Sequence, residues 1–238
     1  MGELQVESFS AFGVEHVFAY PGGAAIPLFD AILDSSINLV LVRHEQAAVH
    51  MADGYARASG KPGVVLVTSG PGATNTLTGI YTAHMDSVPI VVISGQTISP
   101  LLGKDAFQES DISGMSFACV KHSFLVKNVN TLSKVVKESF YIASTGRPGP
   151  VLIDIPKDVS TGLCTDPVPS EIDLPGYKIP DKGNAEAIRK AADYLSKAKR
   201  PVILAGQGCI ISESSRQLTE LAEKLQCPVV HTLLGNGS

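Results

Sequence analysis

Short apolar runs alternate with longer amphipathic stretches along most of this chain of 238 residues. Short runs of Val, Ile and Leu are typical of buried strands, and apolar residues at about every third or fourth position are typical of helices. Apolar residues recur at helical spacing from Ala48 to Ala58, for example, and Gly60 ends that helix. The pattern predicts strands at 16–21, 38–44, 63–69, 89–95, 149–156, 200–206 and 227–232. It predicts helices at 24–33, 45–59, 73–85, 131–145, 185–198 and 213–225.

These elements predict an α/β fold with two domains. Near-continuous apolar strands separated by helices are typical of a doubly wound parallel sheet with helices on both faces, here over residues 1–160. Residues 161–184 hold four prolines and no periodicity, which indicates a linker. Residues 185–238 begin a second α/β domain, but two strands and two helices are too few to bury a core. We therefore expect this sequence to be the N-terminal part of a longer protein.

Composition and charge narrow the possible partners. The net charge of −4 provides no basic surface for nucleic acid or anionic lipid, and no apolar run approaches the roughly 20 residues of a membrane span. Glu3 and Glu7, without a basic stretch before an apolar core, argue against a secretory signal. The cysteines form no Cys-x-x-Cys pair, which indicates free thiols in a reducing compartment; they are Cys119, Cys164, Cys209 and Cys227. We expect a cytoplasmic protein that binds neither nucleic acid nor a membrane.

Four loops follow predicted strands and therefore lie where parallel sheets bind ligands, at the carboxyl ends of the strands. Glycines in these loops would let a ligand approach the backbone closely, although each turn alone is equally well explained as a tight corner between strand and helix. Neither Gly-x4-Gly-Lys-Ser/Thr nor Gly-x-Gly-x-x-Gly is present, so the loops do not indicate phosphate binding. The loops are Pro21-Gly22-Gly23, Arg43-His44-Glu45, Thr68-Ser69-Gly70-Pro71-Gly72 and Ser94-Gly95-Gln96.

Glu45 has two interpretations. As the first residue of a helix it could simply complement the helix dipole, which is worth about 0.3–1 kcal/mol. In a partly desolvated pocket, the same carboxylate would be well suited to donate or accept one proton. The stretch "HEQAAVH" is not the zinc motif His-Glu-x-x-His, because Ala48 stands where the second histidine should be. His44 and His50 are therefore expected to be packing or surface residues.

Several stretches, taken together and in order, resemble the thiamine-diphosphate-dependent enzymes, and among them the large catalytic subunits of acetolactate (acetohydroxyacid) synthases. They cover nearly all of residues 1–160, and "PVILAGQG" and "PVVHTLLGNG" continue the resemblance in the second domain. The resemblance implies that the first domain is the pyrimidine-binding domain and that 185–238 is part of an FAD-type central domain. The stretches are "GVEHVFAYPGGAAIPLFDAI", "RHEQAAVHMADGYARASGKPGV", "TSGPGATNTLTGIYTAHMDSVPIVVISGQ", "GKDAFQESDISG", "VKHSFLV" and "STGRPGPVLIDIPKDV".

The resemblance implies a carboligase that decarboxylates pyruvate on thiamine diphosphate and condenses the product with a second 2-ketoacid, in branched-chain amino acid biosynthesis. Glu45 would then be catalytic, because a hydrogen bond to the pyrimidine ring nitrogen favours the imino tautomer that removes the thiazolium proton. Gln108 of "DAFQE" would lie at the active site. The remaining contacts implied for thiamine diphosphate are Pro21, Gly22 and Gly23 at the entrance, and Pro71, Gly72 and Asn75 at the pyrimidine.

The resemblance also implies a substrate channel and a second cofactor. The channel would be lined by Gln96, Phe107, Lys121 and Lys157, although both lysines could equally be solvated surface residues. FAD would contact Ser87, Arg147, Gly206 and Gly208. No metal ligand is expected in this chain, because the domain that holds Mg²⁺ and the diphosphate in these enzymes has no counterpart here. Lys104 departs from the usual Gly-Thr-Asp-Ala-Phe-Gln-Glu and could alter the charge of the channel.

The implied assembly is a homodimer or homotetramer with active sites shared between subunits, to which a regulatory small subunit could bind. This chain alone is expected to be inactive. Pyruvate oxidase, glyoxylate carboligase and sulfoacetaldehyde acetyltransferase are alternatives, but "DAFQE" and "VKH" favour acetolactate synthase. A non-catalytic binding module of the same fold is a further alternative, against which the retained Glu45 argues. A dinucleotide-binding oxidoreductase domain is disfavoured by the missing glycine fingerprint.

Overall fold

The computed structural model describes residues 13–180 and 182–238. Glu3 and Glu7, on which the argument against a secretory signal depended, lie outside the described residues. The chain divides into two compact units, with the boundary between Lys178 and Ile179. Among the described residues, no helix combines the length and the apolar character needed to cross a bilayer.

The first unit is built on a six-stranded, fully parallel sheet in the order β2-β1-β3-β4-β6-β5. This confirms the predicted α/β fold with a parallel sheet. Its strands are β1 (His16–Ala19), β2 (Asn38–Leu41), β3 (Gly63–Val67), β4 (Ile90–Gln96), β5 (His122–Leu125) and β6 (Val151–Pro156). Its helices are α1 (Ile26–Leu33), α2 (Glu45–Ser59), α3 (Pro71–Thr74), α4 (Leu77–Met85), α5 (Ile112–Ser116), α6 (Leu132–Ser144) and α7 (Lys157–Thr161), with single 3₁₀ turns at Ser99–Leu101 and Val129–Thr131.

Both faces of this sheet are covered, which explains why its central strands are apolar throughout. Alternate residues of β3 enter two separate cores: Val64 and Leu66 face α1 and α6, whereas Val65 and Val67 face α2 and α4. The chain moves one way along the sheet from β1 to β2 and the opposite way from β2 to β3. Because crossovers between parallel strands are right-handed, this reversal places α1 and α2 on opposite faces.

Local signals explain the bounds of α2, the helix that carries Glu45. The ring Nδ1 of His44 accepts a hydrogen bond from the backbone N–H of Gln46 at 3.1 Å, so His44 caps the N-terminus. Gly60 ends the helix in the left-handed conformation, at φ 71°, which glycine adopts without a steric penalty. The predicted range 45–59 is therefore the observed one.

Three features of the first unit differ from the expected pattern. Strand β5 was not predicted, because its run "HSFL" mixes polar and apolar residues; the other edge strand, β2, is equally short and equally exposed but was predicted from its apolar run. The predicted helix 73–85 is interrupted between α3 and α4, where the buried hydroxyl of Thr76 donates to the carbonyl of Ala73 at 2.6 Å. Part of the predicted linker packs on the first unit, since Lys137 Nζ donates to the carbonyls of Pro169 and Ser170 at 2.5 and 2.6 Å.

The second unit contains two parallel strands and no closed core. Of its described residues, only Ala205 and Gly235 are buried, and Leu204 is 70% exposed. This is the result expected for two strands and their helices, because so little surface cannot enclose a core. The elements are α8 (Ala185–Lys197), β7 (Ile203–Ala205), α9 (Gln207–Ile211), α10 (Ser215–Leu225) and β8 (Val229–His231), followed by a 3₁₀ turn at Leu233–Gly235.

Candidate active site

The chain changes direction between β1 and β3, and this reversal creates a crevice at the carboxyl edge of the sheet. Ligands of open parallel sheets bind at such switch points. The loop after β1 carries Pro21, Gly22 and Gly23, and the loop after β3 carries Pro71 and Gly72. Glu45 opens α2 directly after β2, at the same edge. The topology therefore gathers three of the four loops predicted from the sequence around one crevice.

Glu45 is a buried carboxylate at this crevice. It is 7% exposed, and its Oε2 accepts a hydrogen bond from Nδ2 of Asn75 at 2.8 Å. Its Oε1 accepts no hydrogen bond from the described residues, and none of the ion pairs formed by those residues includes Glu45. A buried carboxylate without a cation is costly unless its remaining lone pairs are satisfied. Glu45 is thus prepared to pair with a hydrogen-bond donor on a ligand.

Glycine is required where the two loops approach each other across Thr68. A Cβ atom at Gly22 would lie 2.5 Å from the Cβ of Thr68, and a Cβ atom at Gly72 would lie 2.7 Å from its Cγ2. The Gly72 position also borders the carboxylate, because its Cβ atom would lie 3.3 Å from Oε1 of Glu45. The two loops therefore pack on each other through Thr68, directly beside the carboxylate of Glu45.

Thr68 joins the loops and was not predicted as a site residue. Its Oγ1 accepts a hydrogen bond from the backbone N–H of Ala24 at 3.2 Å, while its methyl group fills the space between Gly22 and Gly72. Its position at the carboxyl end of a predicted strand was the only signal available from the sequence. Pro21, Gly23 and Pro71 are exposed around this contact.

Gln96 was predicted to line the substrate channel, but the structure buries it. Its side chain is 2% exposed, and its Nε2 donates to the carbonyl of Ser110 at 2.8 Å and to Oδ2 of Asp154 at 2.9 Å. Its Oε1 accepts from the backbone N–H of Thr97 at 2.8 Å. Because both ends of the amide are used inside the protein, Gln96 holds the following loop in place and does not face a channel.

Asp154 is a second residue that the sequence analysis missed. It lies on β6, is 2% exposed, and accepts from Oγ of Ser94 at 2.6 Å as well as from Gln96. Burial raises the pKa of Asp154 to about 6; the hydrogen bonds from Ser94 and Gln96 oppose this rise, and the charge of Asp111 adds to it. A single carboxylate within the apolar run "VLIDIP" was the available signal.

The loop after β4 reaches back to the crevice. Gln108 has a left-handed backbone, at φ 55°, and a Cβ atom at Gly70 would lie 2.6 Å from the carbonyl oxygen of Gln108. The backbone of Gln108 therefore packs on the turn that also carries Gly72. The neighbouring Phe107 side chain is 87% exposed. Both residues were predicted at the active site or its channel, and the structure places their loop against the Gly70 turn.

The two predicted channel lysines lie at opposite ends of the parallel strands. Lys157 is exposed and begins α7 directly after β6, at the carboxyl edge. Lys121 precedes β5, at the amino edge, and its Nζ donates to the carbonyls of Ile142 and Thr145 and to the hydroxyl of Tyr177. Within this chain Lys121 is therefore separated from Phe107 and Lys157, and it stabilises the C-terminal end of α6.

The residues predicted to contact FAD lie in two places. In the first unit Arg147 Nε donates to Oγ of Ser87 at 2.8 Å, and its Nη2 lies 3.4 Å from the carbonyls of His84 and Met85. This pair stands at the amino edge of the sheet. In the second unit Gly206 follows β7 and Gly208 lies in α9, with open space where a Cβ atom of Gly208 would stand. Within residues 13–180 and 182–238, no group of three or more His, Cys, Asp or Glu side chains could hold a metal ion.

Comparison with protein families identifies the two units. Residues 1–115 match the family model described as "Thiamine pyrophosphate enzyme, N-terminal TPP binding domain". Residues 188–238 match the model described as "Thiamine pyrophosphate enzyme, central domain". The two matches occur in the order expected for one enzyme family.

Several individual proteins are similar to nearly the whole chain. The acetolactate synthase large subunits of Buchnera aphidicola subsp. Schizaphis graminum and of Haemophilus influenzae are each 52% identical over 239 aligned positions, covering 99% of this chain. The acetolactate synthase isozyme 3 large subunit of Escherichia coli K12 is 49% identical over the same share of the chain. The chain spans 42% of the length of each of these relatives.

Proposed function

Because this chain belongs to the thiamine pyrophosphate enzyme family, we propose that it is the N-terminal part of an acetolactate synthase large subunit. The full-length protein would decarboxylate pyruvate on thiamine diphosphate, which is thiamine pyrophosphate, and condense the two-carbon product with a second 2-ketoacid. The single observation that carries this proposal is the state of Glu45, a buried carboxylate with one oxygen bound by Asn75 and the other without a hydrogen bond from the described residues. The similarity to named acetolactate synthases favours this activity over pyruvate oxidase, glyoxylate carboligase and sulfoacetaldehyde acetyltransferase.

The residues around Glu45 fit an aminopyrimidine ring. Thiamine diphosphate, when bound, supplies the electron sink for cleavage of the bond between a carboxylate and a ketone carbon. Oε1 of Glu45 would share a proton with a ring nitrogen, and Asn75 would hold the carboxylate in the orientation that this requires. Only glycine fits at positions 22 and 72 beside Thr68, so the two loops pack closely next to the carboxylate of Glu45. Burial of Glu45 limits the access of water to the same oxygen.

Proposals about the other ligands depend on residues outside this crevice. We propose that Phe107 and Lys157 line the path of the 2-ketoacid, and that Mg²⁺ is held by ligands from the part of the full-length protein beyond this chain. Each unit by itself carries residues that we propose for FAD: Arg147 and Ser87 in the first unit, and Gly206 and Gly208 in the second. A full-length protein that purifies without flavin would contradict the role proposed for Arg147.

The same similarity supports proposals about assembly. We propose that the full-length protein forms a homodimer or homotetramer in the cytoplasm, that each active site needs two subunits, and that this chain alone is inactive. A regulatory small subunit would be an additional partner, since the three relatives compared above are all named as large subunits. Size-exclusion chromatography with light scattering, on the full-length protein, tests the oligomeric state.

The experiment that tests the catalytic proposal is Glu45→Gln in the full-length protein. Gln keeps the shape of the side chain but cannot exchange a proton, so turnover of pyruvate should fall by about 10²–10⁴-fold, the usual contribution of one acid–base group. Turnover is measured as pyruvate consumed at saturating thiamine diphosphate, and calorimetry confirms that the variant still binds the cofactor. The matched control is Glu15→Gln, which removes the same charge from a surface ion pair with Lys61. Near-normal turnover of Glu45→Gln would contradict the assignment.

A further inference from the structure

The loop between β4 and α5 carries a strained tip at residues 103–109. Three of its residues have left-handed backbones: Gly103 at φ 76°, Asp105 at φ 54° and Gln108 at φ 55°. This conformation is unfavourable for Gln108, whose Cβ atom crowds the backbone, whereas Asp105 tolerates it better. Such strain persists only where surrounding contacts hold the backbone in place. The tip therefore needs an interaction that fixes its path.

The carboxylate of Glu109 provides that interaction. Its two oxygens accept hydrogen bonds from the backbone N–H groups of Gly103 and of Ala106, the latter at 2.8 Å. These bonds, with the nearby amides of Lys104 and Asp105, hold the pKa of the Glu109 carboxyl below its ordinary value. Successive amides that converge on one anion form a nest, and here the anion belongs to the loop itself.

The two ends of the loop are anchored by other residues. Near its start, Oδ1 of Asp158 accepts from the backbone N–H and the hydroxyl of Ser99, at 2.9 and 3.1 Å. Near its end, Gln96 holds the carbonyl of Ser110 at 2.8 Å. Glu109 thus acts on the tip alone, and its loss should loosen residues 103–109 while the ends stay in place.

The tip matters to the crevice because of what it touches. The Gln108 backbone packs on Gly70, and two residues further along the same turn Gly72 borders the carboxylate of Glu45. We propose that Glu109 is a positioning residue: by seating its carboxylate on the amides of residues 103–106, it keeps Gln108 packed on Gly70 and fixes the direction of Phe107. The functional part of this inference rests on the proposed carboligase, whereas the structural part does not.

Trypsin tests the structural part without any need for catalysis. Lys104 lies within the tip, so cleavage after Lys104 in the native full-length protein reports how often the tip opens. Glu109→Gln leaves only one acceptor for two backbone donors, and we expect cleavage to become about tenfold faster as the local opening equilibrium shifts. Glu15→Gln, which removes the same charge elsewhere on the surface, should leave the rate unchanged. Mass spectrometry of the fragment ending at Lys104 gives the rate.

Kinetics of the same variants test the functional part. If Glu109 positions the loop for the 2-ketoacid, Glu109→Gln should raise KM for that substrate about tenfold with a smaller change in kcat, the pattern of lost ground-state binding. Unchanged cleavage after Lys104 would overturn the inference, whatever the kinetics. Faster cleavage with unchanged KM and kcat would also overturn it, because the loop would then be held by Glu109 without serving the site. If the unaltered full-length protein lacks carboligase activity, the proposed function fails, and the cleavage rates alone still decide whether Glu109 holds the tip.

Discussion

Replacing Asp154 by Asn should stabilise the first unit at neutral pH. Burial raises the pKa of Asp154 from 3.8 to about 6, so the folded chain binds this proton more tightly than the unfolded chain. This difference in pKa corresponds to about 3 kcal/mol of unfolding free energy. Ionised Asp154 lowers the stability by that amount above pH 6, and the loss disappears as the pH falls below 4. Asn is never ionised. Its Oδ1 can accept from Gln96 and its Nδ2 can donate to Ser94, whose hydroxyl can turn to accept.

The assay is thermal unfolding of Asp154→Asn and of the unaltered chain, followed by circular dichroism from pH 4 to pH 8. For a unit of this size about 3 kcal/mol corresponds to roughly 6–12 °C, so the Tm difference between the two proteins should grow by that amount from pH 4 to pH 8. Asp30→Asn, on the exposed side of α1, is the control and should show no such growth. A Tm difference that stays constant with pH, or that falls as the pH rises, would refute the reasoning about the buried charge.

Three further substitutions test the crevice and the packing of α2 on β3. Asn75→Ala removes the donor that holds Glu45. Because a hydrogen bond to a charged group is worth about 1.5–3 kcal/mol, turnover of the full-length protein at saturating thiamine diphosphate should fall about 10- to 100-fold. Unchanged turnover would mean that Asn75 does not orient the carboxylate. Gly63→Ala would put a Cβ atom 2.2 Å from the carbonyl oxygen of Ala52, which should cost about 1–3 kcal/mol and lower Tm. A Cβ atom at Gly54 in α2 would meet open space, so Gly54→Ala should instead raise the free energy of unfolding by about 0.5–1 kcal/mol. Equal melting temperatures for Gly63→Ala and Gly54→Ala would contradict this account.

The sequence predicted the strands that carry a run of apolar residues. Strands β3, β4 and β6 are buried along their whole length, so their apolar runs are continuous and their positions follow from the pattern. Strand β5 lies at the edge of the sheet, and its run "HSFL" mixes polar and apolar residues without a clear period. The predicted helix 73–85 is broken between α3 and α4, at the buried Thr76, and helical spacing does not reveal this break.

Contacts between distant segments were harder to predict. The position of Glu45 after a strand followed from the pattern, but its partner Asn75 is 30 residues away and becomes a neighbour only through the order of the sheet. For Gln96 the sequence predicted a place in the substrate channel, whereas its amide makes contacts inside the protein. It stands at the carboxyl end of a strand, where ligand-binding residues are common. Its buried amide instead donates a hydrogen bond to the carboxylate of Asp154 on the adjacent strand. The role of such an amide depends on the neighbouring strand, and therefore on strand order.

The residues proposed for the two ligands lie at opposite ends of the strands of the sheet. Strand β4 has seven residues, and at about 3.3 Å per residue it spans roughly 20 Å between its ends. Glu45 and Gln108 stand near the carboxyl edge, whereas Ser87 and Arg147 stand near the amino edge. A compact ligand that contacts Glu45 therefore cannot also reach Arg147 of the same chain. If both groups of residues bind ligands, they bind two different molecules, and loss of one ligand should leave the other site of the first unit intact.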